Sequence, residues 1–394
     1  MPPLDPQLFA LDPSLLWVMH CAEGPVPRAA TEAVARLLPC ETRPWTLRFP
    51  DDFLGIPAAA RASAAAVVGA LAEDITLVPT TTSGLVTVAQ GFPWEPGDEV
   101  LSPLGEFPSN AWPWRCLDRR GVTVREVPLW EGHRAAGEPS TRPDARRAGF
   151  DPEGALLAAV GPKTRVLAAS WVRFQDGLVL DLERLGRGCR ARGVTLVVDG
   201  IQGAGTRVPS LEACAAFATG GHKGLLAPQG LGFLWTSAEL RQSLSPPGGW
   251  LGVEGSVDFT RPCTDFTRPW KRDGTRLEHG GPNLLSCAAL AASLETLAAA
   301  GVGAIEAHVR GLTRGLLGAL RGSAWDDEAR RLLALWEAGR VGPIVALEER
   351  PGVLAEGRSR GILATAREGY LRVALHGYHA PDDVERVARW LTGG

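Results

Sequence analysis

The chain has 394 residues, 45% of them hydrophobic and 22% charged, with 41 basic against 44 acidic side chains and a net charge of −3. That is enough chain for two lobes with separate cores, and the composition is that of a globular enzyme. The balanced charge offers no basic field to nucleic acid or to an anionic membrane, and residues 1–12 lack the basic start and apolar run of a secretion signal.

Residues 1–25 are irregular, punctuated by Pro2, Pro3, Pro6, Pro13 and Pro25. Residues 21–25 read as a turn before a helix over 31–38, and residues 58–71 read as an Ala- and Val-rich core helix. A short strand over 75–79 runs into Thr80, Thr81, Thr82, Ser83 and Gly84, with a helical stretch from Leu85 to Gly91. A strand, a hydroxyl- and glycine-bearing turn and a helix start suit an anion, because the first N–H groups point outward and the helix dipole favours negative charge. Taken alone, the same residues fit a plain hydroxyl N-cap better. Residues 97–101 read as a turn and a strand, Glu106 to Asn110 lead to a helix over 113–120, and 122–127 is again a strand. Residues 131–147, rich in Gly, Pro, Arg and Ala, read as an exposed loop. Residues 155–160 are helical, 165–170 form a strand ended by the stretch 171–177, and 181–192 form a helix closed by Gly193.

The stretch that follows carries the chemistry. Val194 and Leu196 to Val198 make a buried strand that delivers Asp199 to a sheet edge. Lys223 stands 24 residues further on (223 − 199), inside Thr219-Gly220-Gly221-His222-Lys223-Gly224. A strand-end carboxylate and a lysine in a glycine-rich turn are the two groups a pyridoxal phosphate (PLP) site needs, one to hold the ring nitrogen protonated and one to form the Schiff base. Beside them, the Thr81–Gly84 turn reads as the phosphate cradle. Strands alternating with helices from about 75 to 235 predict a mainly parallel sheet with helices on both faces, and ligands there sit beyond the carboxyl ends of strands, where Asp199, Thr81 and Phe107 fall.

Residues 231–235 are a further strand. Residues 245–283, rich in Pro, Gly and aromatics, read as a wall or inter-subunit segment; 284–300 and 304–320 are long helices; 341–347 and 371–375 are strands of a smaller lobe; and 381–391 is a final helix opened by Pro381. The seven cysteines show neither C-x-x-C pairs nor zinc spacing, which predicts a reduced, cytoplasmic protein with no metal. Thirteen tryptophans against two tyrosines are read mainly as core packing.

Over nearly its whole length the chain resembles fold-type I PLP enzymes of the class V aminotransferase group, which includes cysteine desulfurases, selenocysteine lyases, kynureninases and isopenicillin-N-epimerase-like proteins. The motifs that carry the likeness are D-x-x-Q at Asp199 and Gln202, H-K at His222 and Lys223, T-T-x-G at Thr81, Thr82 and Gly84, E-x-x-x-N-x-x-P-W from Glu106 to Trp114, and the segment 370–376 around Arg372. The resemblance implies a large PLP-binding domain over 26–283, a smaller α+β domain over 284–394, and an N-terminal segment, 1–25, that adds to the site and the small domain. It implies that Asp199 faces the pyridine nitrogen, Gln202 the phenolic oxygen, His222 the phosphate, and Phe107 the ring face, with Lys223 as Schiff-base lysine and proton shuttle and Arg372 gripping the substrate α-carboxylate. It also implies a homodimer whose sites are completed across the subunit boundary.

Four departures bear on the reaction. Gly281 replaces a threonine that reaches the neighbouring subunit's cofactor, Gly220 replaces a phosphate-binding serine, and Trp171 stands where desulfurases carry asparagine. The segment 361–369 is shorter than the desulfurase loop, and no cysteine follows Cys287, which disfavours sulfur transfer through the protein's own thiolate. The expected activity is therefore that of a PLP-dependent lyase (C–S or other β-elimination) or epimerase working on an amino acid through an external aldimine and Cα deprotonation. Transamination is the alternative, and a non-catalytic scaffold is the alternative of another class. His20, Glu23, Trp250, His279 and Arg367 are further pocket candidates.

Overall fold

The short apolar runs of the first 240 residues join into one sheet. In the computed structural model, which describes residues 1–393 other than 136, 137 and 139, twelve strands form three sheets among the described residues. In chain order they are β1 (Leu16–Trp17), β2 (Ile75–Val78), β3 (Glu99–Pro103), β4 (Thr123–Val127), β5 (Thr164–Ser170), β6 (Thr195–Asp199), β7 (Ala216–Gly220), β8 (Gly232–Thr236), β9 (Ile344–Glu348), β10 (Ile362–Leu363), β11 (Thr365–Arg367) and β12 (Tyr370–Ala374). Of the loop expected over 131–147, residues 136, 137 and 139 lie outside the described set.

The large sheet has the order β2-β8-β7-β6-β5-β3-β4. It is parallel from β7 to β4, while β8 is antiparallel to both of its neighbours. Two reversals cancel, so β2 runs in the same sense as β7. Its carboxyl end therefore shares an edge with those of β3, β5 and β6, and the segments bearing Thr81, Phe107 and Asp199 all leave from that edge. Alternate residues feed two cores: Leu167, Ala169, Leu196 and Val198 on one face, Val166, Ala168 and Val197 on the other. Both faces are covered, as expected of a parallel sheet. The α/β architecture with a smaller α+β part is thus as the sequence implies.

The structure corrects several details. β7 has no counterpart among the predicted strands, because Ala-Phe-Ala-Thr-Gly carries a single bulky β-former and reads as part of the glycine turn. The helix after Phe107 spans Pro108–Arg115 rather than 113–120; Pro108, not Pro113, occupies the first turn. The helix Asp51–Val68 begins before Ala58 and runs through Pro57. Helices Asp326–Glu337 and Val353–Ser359 have no counterpart among the predicted elements, although Asp326, Asp327 and Glu328 give the former an acidic first turn. The short loop expected over 361–369 is instead β10 and β11, followed by a tight return through Glu368 and Gly369, both at positive φ.

In the C-terminal part, β12 lies between β11 and β9 in an antiparallel sheet. The N-terminal segment is laced to it: β1 pairs with β10, and the Ala374 amide donates to the Val18 carbonyl at 2.7 Å. The same segment reaches the large sheet, where the Gly24 amide donates to the His222 carbonyl at 2.8 Å. The helix Leu284–Ala300 packs on Asp51–Val68 and Arg28–Leu37. Among the described residues no single helix is long and apolar enough to cross a membrane.

Candidate active site

Asp199 closes β6, buried at 3% exposure, in register with Ser170 on one side and Ala218 on the other. Its Oδ1 accepts the Ile201 amide at 3.0 Å. Burial, with a further push from the nearby Glu106 charge, raises its carboxyl to about 7, against the pull of that hydrogen bond and of Lys223. The turn that follows admits no side chain at Gly200, where a Cβ would lie 2.0 Å from the Phe217 ring. Gln202 is buried, and its Nε2 donates to the Cys21 carbonyl at 3.0 Å, which leaves the second N–H of the amide for another acceptor.

Lys223 sits in the turn between β7 and β8. The backbone is crowded there: a Cβ at Gly24 would meet the Lys223 carbonyl at 2.2 Å, and one at Gly224 would meet the Ala204 carbonyl at 2.3 Å. Burial lowers the affinity of the Lys223 amine for its proton, partly offset by Asp199 and Cys21. Its Nζ stands 5.6 Å above the centroid of the Phe107 ring. Phe107 is 39% exposed and rests edge-on against Phe174, with centroids 5.1 Å apart. It offers a flat apolar face under the amine, the kind of surface on which a pyridine ring stacks.

The strand–turn–helix after β2 is built as an anion cradle. The helix spans Thr81–Gly91, and Thr80 is its N-cap, accepting the Ser83 amide at 3.0 Å. Thr82 Oγ1 donates to Ser109 Oγ at 2.8 Å, and the Ser83 and Thr80 hydroxyls pair at 2.9 Å. Thr81 Oγ1, by contrast, is buried and has no partner among the described residues. Gly84 is a packing position, where a Cβ would lie 3.1 Å from Ala218 Cβ. Gly220 explains its own departure from serine: a Cβ there would lie 3.2 Å from His222 Nδ1 and 3.3 Å from Thr81 Oγ1. The bare glycine lets those two groups converge. His222 is half-buried, and burial pulls its pKa down, opposed by Glu23. An orphaned hydroxyl, a helix N-terminus and a neighbouring imidazole fit a phosphate group.

Arg372 lies on β12 opposite Thr365 and Ala346, at 3% exposure. Its Nη1 donates to the Phe174 carbonyl at 2.8 Å, its Nε has no partner, and no carboxylate pairs with it among the described residues. Burial lowers its pKa.

The structure thus gathers Thr81, Phe107, Asp199, Gln202, His222, Lys223 and Arg372 around one corner of the sheet. Of the weaker candidates, His20 is buried there edge-on to His376, with ring centroids 5.1 Å apart, and Arg367 shares a sheet face with Arg372, two residues from Thr365 on β11. Glu23 accepts from Gln229, and His279 pairs with Thr87 at 2.9 Å. Trp250 belongs to a separate aromatic group with Phe53. Sequence reasoning assigned no role to Glu106 or Ser170, or to Cys21, whose carbonyl fixes Gln202 and whose thiol lies within electrostatic reach of Lys223 and Arg372. Glu106 opens the E-x-x-x-N block, and that was its one visible signal. Trp171, buried under Gly203 and against Phe217, is a packing residue here. Among the described residues no group of His, Cys, Asp and Glu is arranged to hold a metal ion.

Comparison with known proteins gives the family. The family model described as aminotransferase class-V matches residues 49–324. Isopenicillin N epimerase of Streptomyces clavuligerus is 29% identical, covering 96% of this chain and 94% of the relative. The enzyme of the same name from Amycolatopsis lactamdurans is 30% identical over 97% and 96%. A cysteine desulfurase of Dickeya dadantii is 31% identical over 64% of this chain and 57% of its own. Among solved structures, a C-DES mutant with glycine covalently linked to its PLP cofactor superposes with a TM-score of 0.81 at 19% identity, covering 98% of this chain and 99% of that one. Cysteine desulfurase from Thermococcus onnurineus gives 0.77 at 20% identity, covering 98% and 96%.

Proposed function

Because the chain belongs to the class-V aminotransferase family, whose cofactor is pyridoxal phosphate, we propose that it removes the Cα proton of an amino acid and completes either β-elimination or epimerisation. The cofactor supplies an electron-withdrawing ring joined through its aldehyde to an amine. The rest falls to the chain. Thr81, the first N–H groups of the helix Thr81–Gly91 and His222 hold the phosphate; Phe107 carries the ring face; Asp199 keeps a proton on the ring nitrogen; and the spare Gln202 N–H serves the phenolic oxygen. Lys223, with its proton affinity reduced by burial, takes and returns the proton at Cα.

The observation that carries the amino acid reading is Arg372, a buried guanidinium with an unpartnered Nε and no salt bridge among the described residues, Glu368 acting on it only from a distance. Such a group is costly unless something anionic completes it, and a substrate α-carboxylate matches its fork. Two observations favour lyase or epimerase chemistry over sulfur transfer: the tight β11–β12 return has no room for a long loop, and no cysteine lies beyond Cys287. Incubation with a panel of amino acids in deuterated water tests this reading. Deuterium at Cα with inverted configuration marks epimerisation, and keto acid with ammonia marks elimination. Lasting conversion to pyridoxamine phosphate would mean transamination, and protein that takes up no cofactor would mean a scaffold.

We also propose a homodimer joined through residues 245–283. Phe259 and Phe266 are 59% and 91% exposed, and Phe259 packs at a tilt on Phe49, which in turn meets Phe53 and through it Trp250. A contiguous aromatic surface of this kind marks an interface. Gly281 lies near it, in open space: a Cβ there would find only the Phe53 ring edge within reach, at 3.9 Å. Sedimentation equilibrium should give twice the chain mass of 41.8 kDa; a fully active monomer would refute the interface. The seven free cysteines suit a reducing compartment, and we place the protein in the cytoplasm on that basis.

A further inference from the structure

Glu106 has no part in the roles assigned above, yet it is firmly held. Its Oε1 accepts the Ser170 amide at 2.8 Å, and its Oε2 accepts from the Ser170 hydroxyl. Ser170 ends β5 and pairs in register with Asp199, the end of β6. Neighbouring strands lie about 4.8 Å apart, so two carboxyl groups share one corner of the sheet.

Among the described residues two cations act on this corner, and one of them is already paired with another carboxylate. Arg173 faces Glu106 but is paired with Asp176 at 3.1 Å and donates to the Leu104 carbonyl at 3.1 Å. Asn110 also faces Glu106, and its Oδ1 accepts from Trp114 at 3.1 Å. Lys223 acts on Asp199. Burial raises the pKa of Glu106, against the pull of the two Ser170 hydrogen bonds, Arg173 and Asn110, and raises that of Asp199 as well. Two enclosed carboxylates cannot both ionise cheaply against one pyridinium, and they titrate as a pair.

Resting on the placement of the ring nitrogen at Asp199, we propose that Glu106 is a positioning residue that stays protonated while the cofactor is seated. Holding that proton turns the Ser170 hydroxyl from donor to acceptor at Oε2, and the one negative charge of the corner falls on Asp199. Glutamine imitates that neutral state. A carboxyl that must hold its proton when the cofactor binds makes binding weaken as pH rises past the pKa of the free site, and Glu106→Gln removes that dependence.

The test is spectroscopic titration of the cofactor-free protein with pyridoxal phosphate at about pH 7 and about pH 9, for wild type and Glu106→Gln. The variant should bind within about threefold of wild type at the lower pH and at least about tenfold more tightly at the higher. Parallel pH profiles, or a loss of about tenfold or more at both pH values, would overturn the proposal. If Glu106→Gln does not fold, Ser170→Ala takes its place: without the hydroxyl that donates to the ionised carboxylate, the alkaline loss of affinity should move to higher pH, and an unmoved limb is equally fatal. Wild type that binds no cofactor at either pH would instead remove the reading of Asp199 and Lys223, and this proposal with it.

Discussion

Replacing Lys223 with alanine is expected to lower kcat/KM by about 10⁴-fold or more, to abolish the borohydride-sensitive absorbance of the bound cofactor, and to leave the fold intact. The first effect follows from the two tasks given to one amine. It holds the cofactor, and it moves the Cα proton. The amine stands over the Phe107 face, within electrostatic reach of Asp199, and burial has reduced its hold on its own proton. The third effect follows from how little the side chain does for the fold. Among the described residues its ammonium makes neither a hydrogen bond nor an ion pair, and it stands 5.6 Å from the Phe107 ring centroid. The turn itself is kept by backbone packing against Gly24 and Gly224, which alanine does not disturb. Circular dichroism and thermal melts of the variant should match wild type. An alanine variant that turns over within tenfold of wild type, or that keeps the borohydride-sensitive band, removes the lysine from the chemistry.

Much of the site was legible because its parts are backbone devices. A strand that must end on Asp199, a helix start after β2 and a lysine among glycines all leave marks in composition that survive without coordinates. What sequence could not give was the company each group keeps. Glu106 and Asp199 are far apart in the chain, and only the register of β5 against β6 brings Ser170, and Glu106 with it, to the Asp199 corner. The same holds for Cys21, carried to Gln202 by the pairing of β1 with β10, a contact between segments more than three hundred residues apart. β7 was missed for a local reason: its small residues let Gly84 approach the sheet, with a Cβ there only 3.1 Å from Ala218, so packing rather than β-propensity selects them. Gly220 looked like a defect when compared with a family serine. In the structure it is the bare position on which His222 and Thr81 both crowd, with a Cβ there 3.2 and 3.3 Å from them.

Arg372→Gln is expected to raise KM by about 100-fold or more with a smaller change in kcat, while Tm stays level or rises. The two halves of this prediction have one cause. The guanidinium is buried at 3% exposure, donates one hydrogen bond to the Phe174 carbonyl, and leaves its Nε without a partner. A buried cation that lacks a counter-charge costs stability in the free protein and recovers that cost when an anion arrives. Glutamine keeps a donor for Phe174 and sheds the charge, so the empty site loses a cation that Glu368 offsets only from a distance, while the substrate loses its fork. Arg372→Lys separates charge from geometry: it should fall between the two, since an ammonium attracts a carboxylate without the paired N–H bonds of a guanidinium. Steady-state kinetics and melting curves on the same preparations decide the matter. A glutamine variant with wild-type KM and a lowered Tm would make Arg372 a structural residue and leave the substrate carboxylate without a partner in this chain.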